Sequence, residues 1–480
     1  MKHLTTLLLI LFACTCVPAQ TYVSVEEQET VTAAQLGLIL PIATEYDVVN
    51  YKVRYTTLDA FNQPDTASGL LSIPKDRTLR FPMAVYMHGT VTNRDAVPSR
   101  QGTGERTLVS ALTTSGYIVV APDYIGLGDS DGFHPYVHAA SESSAGRDLI
   151  LAAQQWMEEQ EIAFNDQLFV TGYSQGGHAV QALHRDIQAD PGPDSLVVTA
   201  GAHLSGPYSI SGVMREATLS EDLPTLPGYI IYTYLSYNNV YGIYDSLGQA
   251  FVQPYLDVIK QYNAEEIDGS SFNAALTDLL EERDERLIDM FRDSIGQQIA
   301  DDDDDSRIVQ ALRENDTYEW APSAPTLLYY CTADEQVPFR NAIVADSVMR
   351  ALGSTTVIIQ SGGERTHVGC VPFALLTTLN FFDQYATRDV ISSVGRPVQL
   401  NSFGVSPNPA GIGTPLRLTG LSADGTYPYE LYDATGRTVQ RGSLGLSRSL
   451  TVDGGARTGV HLLRVTLPDG NFVVRRVMLR

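Results

Sequence analysis

Apolar residues in this 480-residue chain fall first into short runs, then lose regular rhythm, then return to short runs near the C-terminus. Residues 46–55 (YDVVNYKVRY) alternate apolar and polar side chains, the period-two pattern of a half-buried strand. A second strand is predicted over 68–74, with Asn62-Gln63-Pro64-Asp65 as the turn between them. From residue 81 the runs become almost wholly apolar: 81–87, 117–120, 167–171, 196–202, 326–331 and 355–359. Helical stretches at 145–159 and 178–184 lie among them. This alternation predicts the α/β class: a mostly parallel sheet with helices on both faces. Between Gly206 and Pro325 the alternation stops, and about 207–322 reads as a helical cap insertion. Eight tyrosines lie between Tyr229 and Tyr262. Each suits a wall meeting both substrate and water, or equally well ordinary helix packing. Residues 389–402 read as a linker. From 403 onward, short strands with glycine turns predict a small β-sandwich.

Candidate chemistry sits at Gly172-Tyr173-Ser174-Gln175-Gly176-Gly177, between the run 167–171 and the helix at 178–184. Strand, Gly-x-Ser-x-Gly, helix is the nucleophile elbow, a turn so tight that small residues must flank the serine. A serine hydroxyl needs a base beside it to attack at neutral pH. Around such an elbow the chain order is serine, acid, histidine. Of nine histidines only His367 and His461 lie far downstream, and His461 falls in the C-terminal module. His367 is therefore the candidate base; the plainer reading is a surface-loop histidine. Asp334, just past the run 326–331, is the candidate acid that orients it, with Glu335 as runner-up. The oxyanion hole requires two main-chain donors. Gln175 supplies one. Thr90, or Gly89, supplies the other, after the strand that ends at His88. His88 precedes the serine and so reads as structural.

These pieces resemble the α/β-hydrolase superfamily over about residues 45–388: His88-Gly89-Thr90, Asp123-Tyr124-Ile125-Gly126-Leu127-Gly128, the elbow, Asp334 and His367. The Asp-Tyr-x-Gly-Leu-Gly block and the Tyr-Ser-Gln-Gly-Gly elbow are most similar to the secretory, lipase-A-like lipases. That resemblance implies hydrolysis of carboxylic esters beneath a cap, with no cofactor. Prolyl oligopeptidase-type peptidases share much of the pattern. The His-Gly-Gly-Gly loop of hormone-sensitive-type lipases is absent.

Net charge is −24, which argues against nucleic acid and anionic membranes as partners. Lys2, His3 and the apolar Leu4–Phe12 read as a signal peptide over 1–20, too short to span a bilayer. Lipoprotein processing at Cys14 is the alternative. Cys14 and Cys16 then leave with the leader, so that Cys331 and Cys370 remain. Adjacent strands bring their loops together and export permits a disulfide. Two buried free thiols are the other possibility. Residues 261–320 carry 18 acidic against 5 basic side chains, including Asp301–Asp305. Such a run reads as solvated surface, and it lacks the ligand spacing of a calcium loop, as does Asp129-Ser130-Asp131-Gly132.

Residues 403–480 carry 9 basic and 5 acidic side chains, and differ in charge from the rest. Ser406-Pro407-Asn408-Pro409, 431–437 (LYDATGR), 459–465 (GVHLLRV) and the basic end 475–480 resemble a type IX secretion C-terminal sorting domain. This implies the type IX machinery as a partner, and export through the outer membrane of a Gram-negative bacterium, with release or surface attachment. A carbohydrate-binding sandwich fits less well, because neither tryptophan lies there. The expected protein is a secreted serine esterase or lipase that needs neither metal nor organic cofactor and works through an acyl-enzyme. A peptidase using the same residues is the alternative, and a vestigial fold that only binds is a third reading.

Overall fold

The computed structural model describes residues 21–390 and 402–480, apart from 41, 193–194, 423–425, 446 and 468–470. The expected signal peptide, with Cys14 and Cys16, and almost all of the expected linker lie outside the described residues. The chain divides into two compact units between Asp389 and Val390.

In the first unit the main path of one sheet contains β1 (Tyr22–Val31), β2 (Val48–Leu58), β3 (Pro64–Pro74), β4 (Leu79–Met87), β5 (Ile118–Pro122), β6 (Phe164–Tyr173), β7 (Val198–Leu204), β8 (Thr326–Tyr330) and β9 (Val357–Ser361). Their order is β1-β2-β3-β5-β4-β6-β7-β8-β9. Pairings from β1 through β3 to β5 are antiparallel. From β5 to β9 every pairing is parallel. Parallel neighbours need crossovers, and helices supply them on both faces. Side chains alternate between the two faces. Met83, Val85 and Met87 meet the helices Ala139–Glu159 and Gln175–Ala189 in one core. Ala84, Tyr86 and Phe169 meet the helices Gly104–Thr114 and His367–Phe382 in another. A side chain as fully buried as Phe169 contributes about 1.5–3 kcal/mol.

β1 is a strand that the hydrophobic pattern does not show. Its sequence, YVSVEEQETV, is rich in acidic side chains, and none of its residues is buried. It lies at the sheet edge, where charge on a strand is tolerated and discourages further pairing.

Between β7 and β8 the chain forms helices, among them Pro227–Tyr241, Tyr255–Asn263, Gly269–Arg283 and Arg307–Glu314, with an isolated bridge between Phe251 and Phe291. They enclose their own apolar core. Tyr234, Tyr237, Tyr255 and Tyr262 are buried in that core, and Tyr229 and Tyr234 line a cavity. Arg313 pairs with Asp302 and Asp304 of the acidic run.

The second unit is a small antiparallel β-sandwich. Strands Gly404–Ser406, Pro415–Thr419 and Ser449–Thr451 form one sheet; Thr438–Leu444, Tyr427–Asp433, Gly459–Thr466 and Phe472–Leu479 form the other. Leu416, Leu431, Leu463, Val473 and Val477 fill its core. His461 is buried within this unit. No helix among the described residues is long and apolar enough to cross a membrane.

Candidate active site

β6 ends at Tyr173 and a helix begins at Gln175, so the chain reverses at Ser174 alone. Ser174 has φ 59° and ψ −122°. Such a backbone costs about 1–3 kcal/mol in a non-glycine residue and persists only where the surroundings enforce it. The flanking glycines are steric requirements. A Cβ on Gly176 would lie 1.9 Å from the Met87 carbonyl oxygen, and one on Gly172 would lie 2.2 Å from the Gly176 carbonyl oxygen. From Leu168 to His184 every residue is buried except Ser174. Ser174 and Gln175 open onto a cavity lined by Ile210, Met214, Leu226, Ile230 and Val337 together with Arg215, Glu335 and Gln336.

β8 and β9 are neighbours, so the segments that follow them meet. His367 Nδ1 lies 2.7 Å from Asp334 Oδ2. A carboxylate accepts only, so the hydrogen is on Nδ1 and Nε2 is left as the basic nitrogen. Asp334 Oδ1 accepts the N–H groups of Gln336 at 3.1 Å and Val337 at 2.8 Å, which locks the acid in turn. Glu335 acts on the backbone instead, where its Oε2 accepts the main-chain N–H of His367 at 2.9 Å. Partial burial works against ionisation of Glu335, yet the N–H groups of His367 and of Glu335 itself prevail and hold its carboxyl below the usual value. Cys331 and Cys370, three residues from Asp334 and His367 respectively, are joined in a disulfide with both residues fully buried.

The loop after β4 passes beside the serine. A Cβ on Gly89 would lie 3.9 Å from Ser174 Cβ and 3.5 Å from the Tyr173 carbonyl oxygen. Thr90 Oγ1 lies 2.9 Å from the Tyr136 hydroxyl, on the edge of the cavity. His88 is fully buried, with Nδ1 2.7 Å from the Gly89 carbonyl and Nε2 3.2 Å from the Asp123 carbonyl. It ties the Gly89 turn to the Asp123–Gly128 block. Tyr124 of that block donates to the His88 carbonyl at 3.0 Å.

Three contributors were not singled out by sequence. Tyr173 donates its hydroxyl to the His367 carbonyl at 2.7 Å, so the residue before the serine touches the histidine. Tyr136 braces Thr90. Glu142, buried in the helix Ala139–Glu159, accepts from the side chains of Gln175 and His178. Its only sequence sign is a lone carboxylate in the small-residue stretch 139–146. Burial pulls His134 down to about 3, against its hydrogen bond to the Ile125 carbonyl, so its ring stays neutral.

A family model described as "Serine aminopeptidase, S33" matches residues 103–276, which hold the elbow and part of the helical insertion. The crystal structure of a Legionella pneumophila protein superposes with TM-score 0.68 at 26% identity, covering 76% of this chain and 98% of that one. The rice cell wall degrading esterase LipA from Xanthomonas oryzae superposes with TM-score 0.67 at 26% identity, over 76% and 98%. The chain folds as an α/β-hydrolase. Candida antarctica lipase A, at 14% identity and TM-score 0.57 over 76% and 81%, has the same fold. No curated protein matches the sequence. Within this α/β-hydrolase the candidate residues follow the ends of four strands of the parallel sheet, β4, β6, β8 and β9, where ligands bind in open α/β sheets.

The disulfide in this α/β-hydrolase closes a loop of sequence separation 39, worth roughly 4 kcal/mol in the chain-entropy picture. A Cys331→Ala/Cys370→Ala double variant is expected to unfold about 5 °C lower. Its turnover at 25 °C should change little, because Asp334 and His367 keep the main-chain bonds described above. Scanning calorimetry and residual activity after heating check both halves of this expectation.

Proposed function

We propose that the protein hydrolyses carboxylic esters through Ser174, His367 and Asp334. Ser174 Oγ attacks the acyl carbonyl carbon. His367 Nε2 takes the serine proton and passes it to the departing alcohol oxygen. Asp334 keeps the imidazole in the required tautomer and stabilises the imidazolium. The N–H of Gln175, with that of Thr90 or Gly89, holds the oxyanion. Water then attacks the acyl-enzyme by the same route, releasing the acid and restoring Ser174. Every step uses groups of this chain.

The observation that carries the reading is the Asp334–His367 hydrogen bond, with the His367 carbonyl bonded to Tyr173, the residue before the strained and only half-buried Ser174. The largely apolar wall of the cavity, which also includes Arg215 and Glu335, has room for an acyl chain. The superposed esterase, matched over most of both chains, supports ester over amide. A peptidase reading is favoured by the name of the matched family model, which spans the elbow but neither Asp334 nor His367. The proposal includes export by the N-terminal leader and the type IX sorting module at 403–480; the separate C-terminal β-sandwich supports it.

A panel of p-nitrophenyl esters from two to sixteen carbons, run beside peptide p-nitroanilides, tests the substrate class. Ester turnover with a chain-length optimum is expected. Amide cleavage with negligible ester turnover moves the assignment to a peptidase.

A further inference from the structure

The first turn of the nucleophile helix is held from the side by a buried polar chain. Glu142 is 1% exposed. Its Oε1 accepts from Gln175 Nε2 at 2.8 Å, and its Oε2 lies 2.7 Å from His178 Nδ1. His178, also fully buried, points Nε2 at the Asn315 carbonyl, 2.8 Å away. The His178 ring thus bridges the Glu142 carboxyl and the Asn315 carbonyl, one ring nitrogen to each. The second hydrogen of Gln175 Nε2 goes to His134 Nε2 at 2.8 Å. His134 Nδ1 donates to the Ile125 carbonyl at 2.7 Å, so its Nε2 is an acceptor. Both amide hydrogens of Gln175 are thus committed, and the side chain cannot rotate without stranding buried partners.

Two facts give this chain a consequence for the reaction. In the proposed mechanism Gln175 supplies a main-chain N–H to the oxyanion, and it follows a strained backbone at Ser174. A strained backbone is held only by its surroundings, and a donor displaced by about 1 Å costs on the order of a hundredfold in rate. The far end of the chain also lies in the helical insertion. Asn315 caps the end of Arg307–Glu314, and its Oδ1 accepts the N–H of Ala139, at the start of the helix that carries Glu142. Its Nδ2 donates to the Tyr241 hydroxyl at 2.9 Å. The insertion over the cavity and the oxyanion donor therefore share one set of buried hydrogen bonds.

We propose that Glu142 is a positioning residue: its carboxylate splints Gln175 to His178 and so aims the Gln175 N–H at the oxyanion, and Asn315 ties that splint to the helical insertion. The inference rests on the ester-hydrolase reading of Ser174 but concerns residues outside the reacting triad.

The test uses the full chain with Glu142→Gln, Gln175→Ala, the double variant, and Ser174→Ala as reference. Glu142→Gln keeps volume, but its amide offers one acceptor where two donors converge. We expect kcat on a p-nitrophenyl ester to fall between tenfold and a hundredfold, with KM within about threefold. Affinity for an alkylboronic acid, which forms a tetrahedral adduct on the serine, should fall by the same factor as kcat/KM. Gln175→Ala keeps the main-chain donor and removes only the strut, so it should show the same loss. The double variant should be no worse than either single change. A structural defect alone would lower the fraction of active enzyme without moving boronate affinity. Wild-type kcat in Glu142→Gln, or losses that multiply in the double variant, would overturn the splint while an inactive Ser174→Ala left the ester-hydrolase reading intact. Should Glu142→Gln fail to fold, Gln175→Ala decides by itself: loss of kcat and boronate affinity together supports the strut, and neither refutes it. Retained activity in Ser174→Ala removes the reading on which the proposal rests.

Discussion

Replacing Ser174 by alanine is expected to lower kcat on an ester by about 10⁵–10⁶. The attacking oxygen disappears, and with it the covalent route. The substitution should leave the fold unchanged, because alanine also carries a Cβ and takes the φ of 59° at similar cost. KM should move little, since the apolar cavity wall is untouched. A residual acceleration of about 10³–10⁴ over water is expected from the oxyanion donors and substrate binding alone. The check is steady-state hydrolysis of a p-nitrophenyl ester beside labelling by a fluorophosphonate. Turnover above a few per cent of wild type, or labelling that persists in the variant, would show that another residue is the nucleophile.

Asp334→Asn is expected to cost about 10⁴ in kcat, although it changes one atom. Asp334 Oδ2 accepts from His367 Nδ1 at 2.7 Å, while Oδ1 is held by the N–H groups of Gln336 and Val337. Those two donors keep the asparagine oxygen on their side, so the amide nitrogen faces His367. Its hydrogens then require Nδ1 to be the acceptor. The ring hydrogen moves to Nε2, the nitrogen that must receive the serine proton, and the base is lost without displacement of any backbone. Glu335→Gln provides the contrast. Glu335 accepts the main-chain N–H of His367, and the glutamine oxygen can do the same. Its loss should be within about tenfold, the scale of one weakened hydrogen bond. Measuring kcat for both variants separates the two neighbours. Equal losses, or a larger loss at Glu335, would reverse their assignment.

The elbow could be read from sequence because its physics is local. A serine turning within one residue between strand and helix needs glycine where the backbones touch, and Gly172 and Gly176 stand there. Asp334 and His367 could be proposed from chain order and strand ends, since a parallel sheet gathers the ends of its strands on one side. β1 was missed because an edge strand need not bury either face, and the acidic YVSVEEQETV carries almost no hydrophobic record of its pairing. The division of labour between Asp334 and Glu335 also required coordinates. Adjacent carboxylates in a turn differ only in which hydrogen of His367 each one meets.

By itself, the sequence determined the alternation of strands and helices from residue 46 onward, the interruption between residues 206 and 325, the compositional break near 389 and the serine elbow. Each follows from residue spacing over a few positions, or from the steric demands of one turn. Only the tertiary structure decided that Tyr173 bonds to His367, that Tyr136 braces Thr90, and that Glu142, His178 and Asn315 meet behind Gln175. Those partners are separated by 194, 46 and up to 137 positions in the chain. Their hydrogen bonds depend on which helix faces cross beneath the sheet end, which no local pattern encodes. A buried carboxylate has to find donors somewhere, and the fold alone determines which ones it finds.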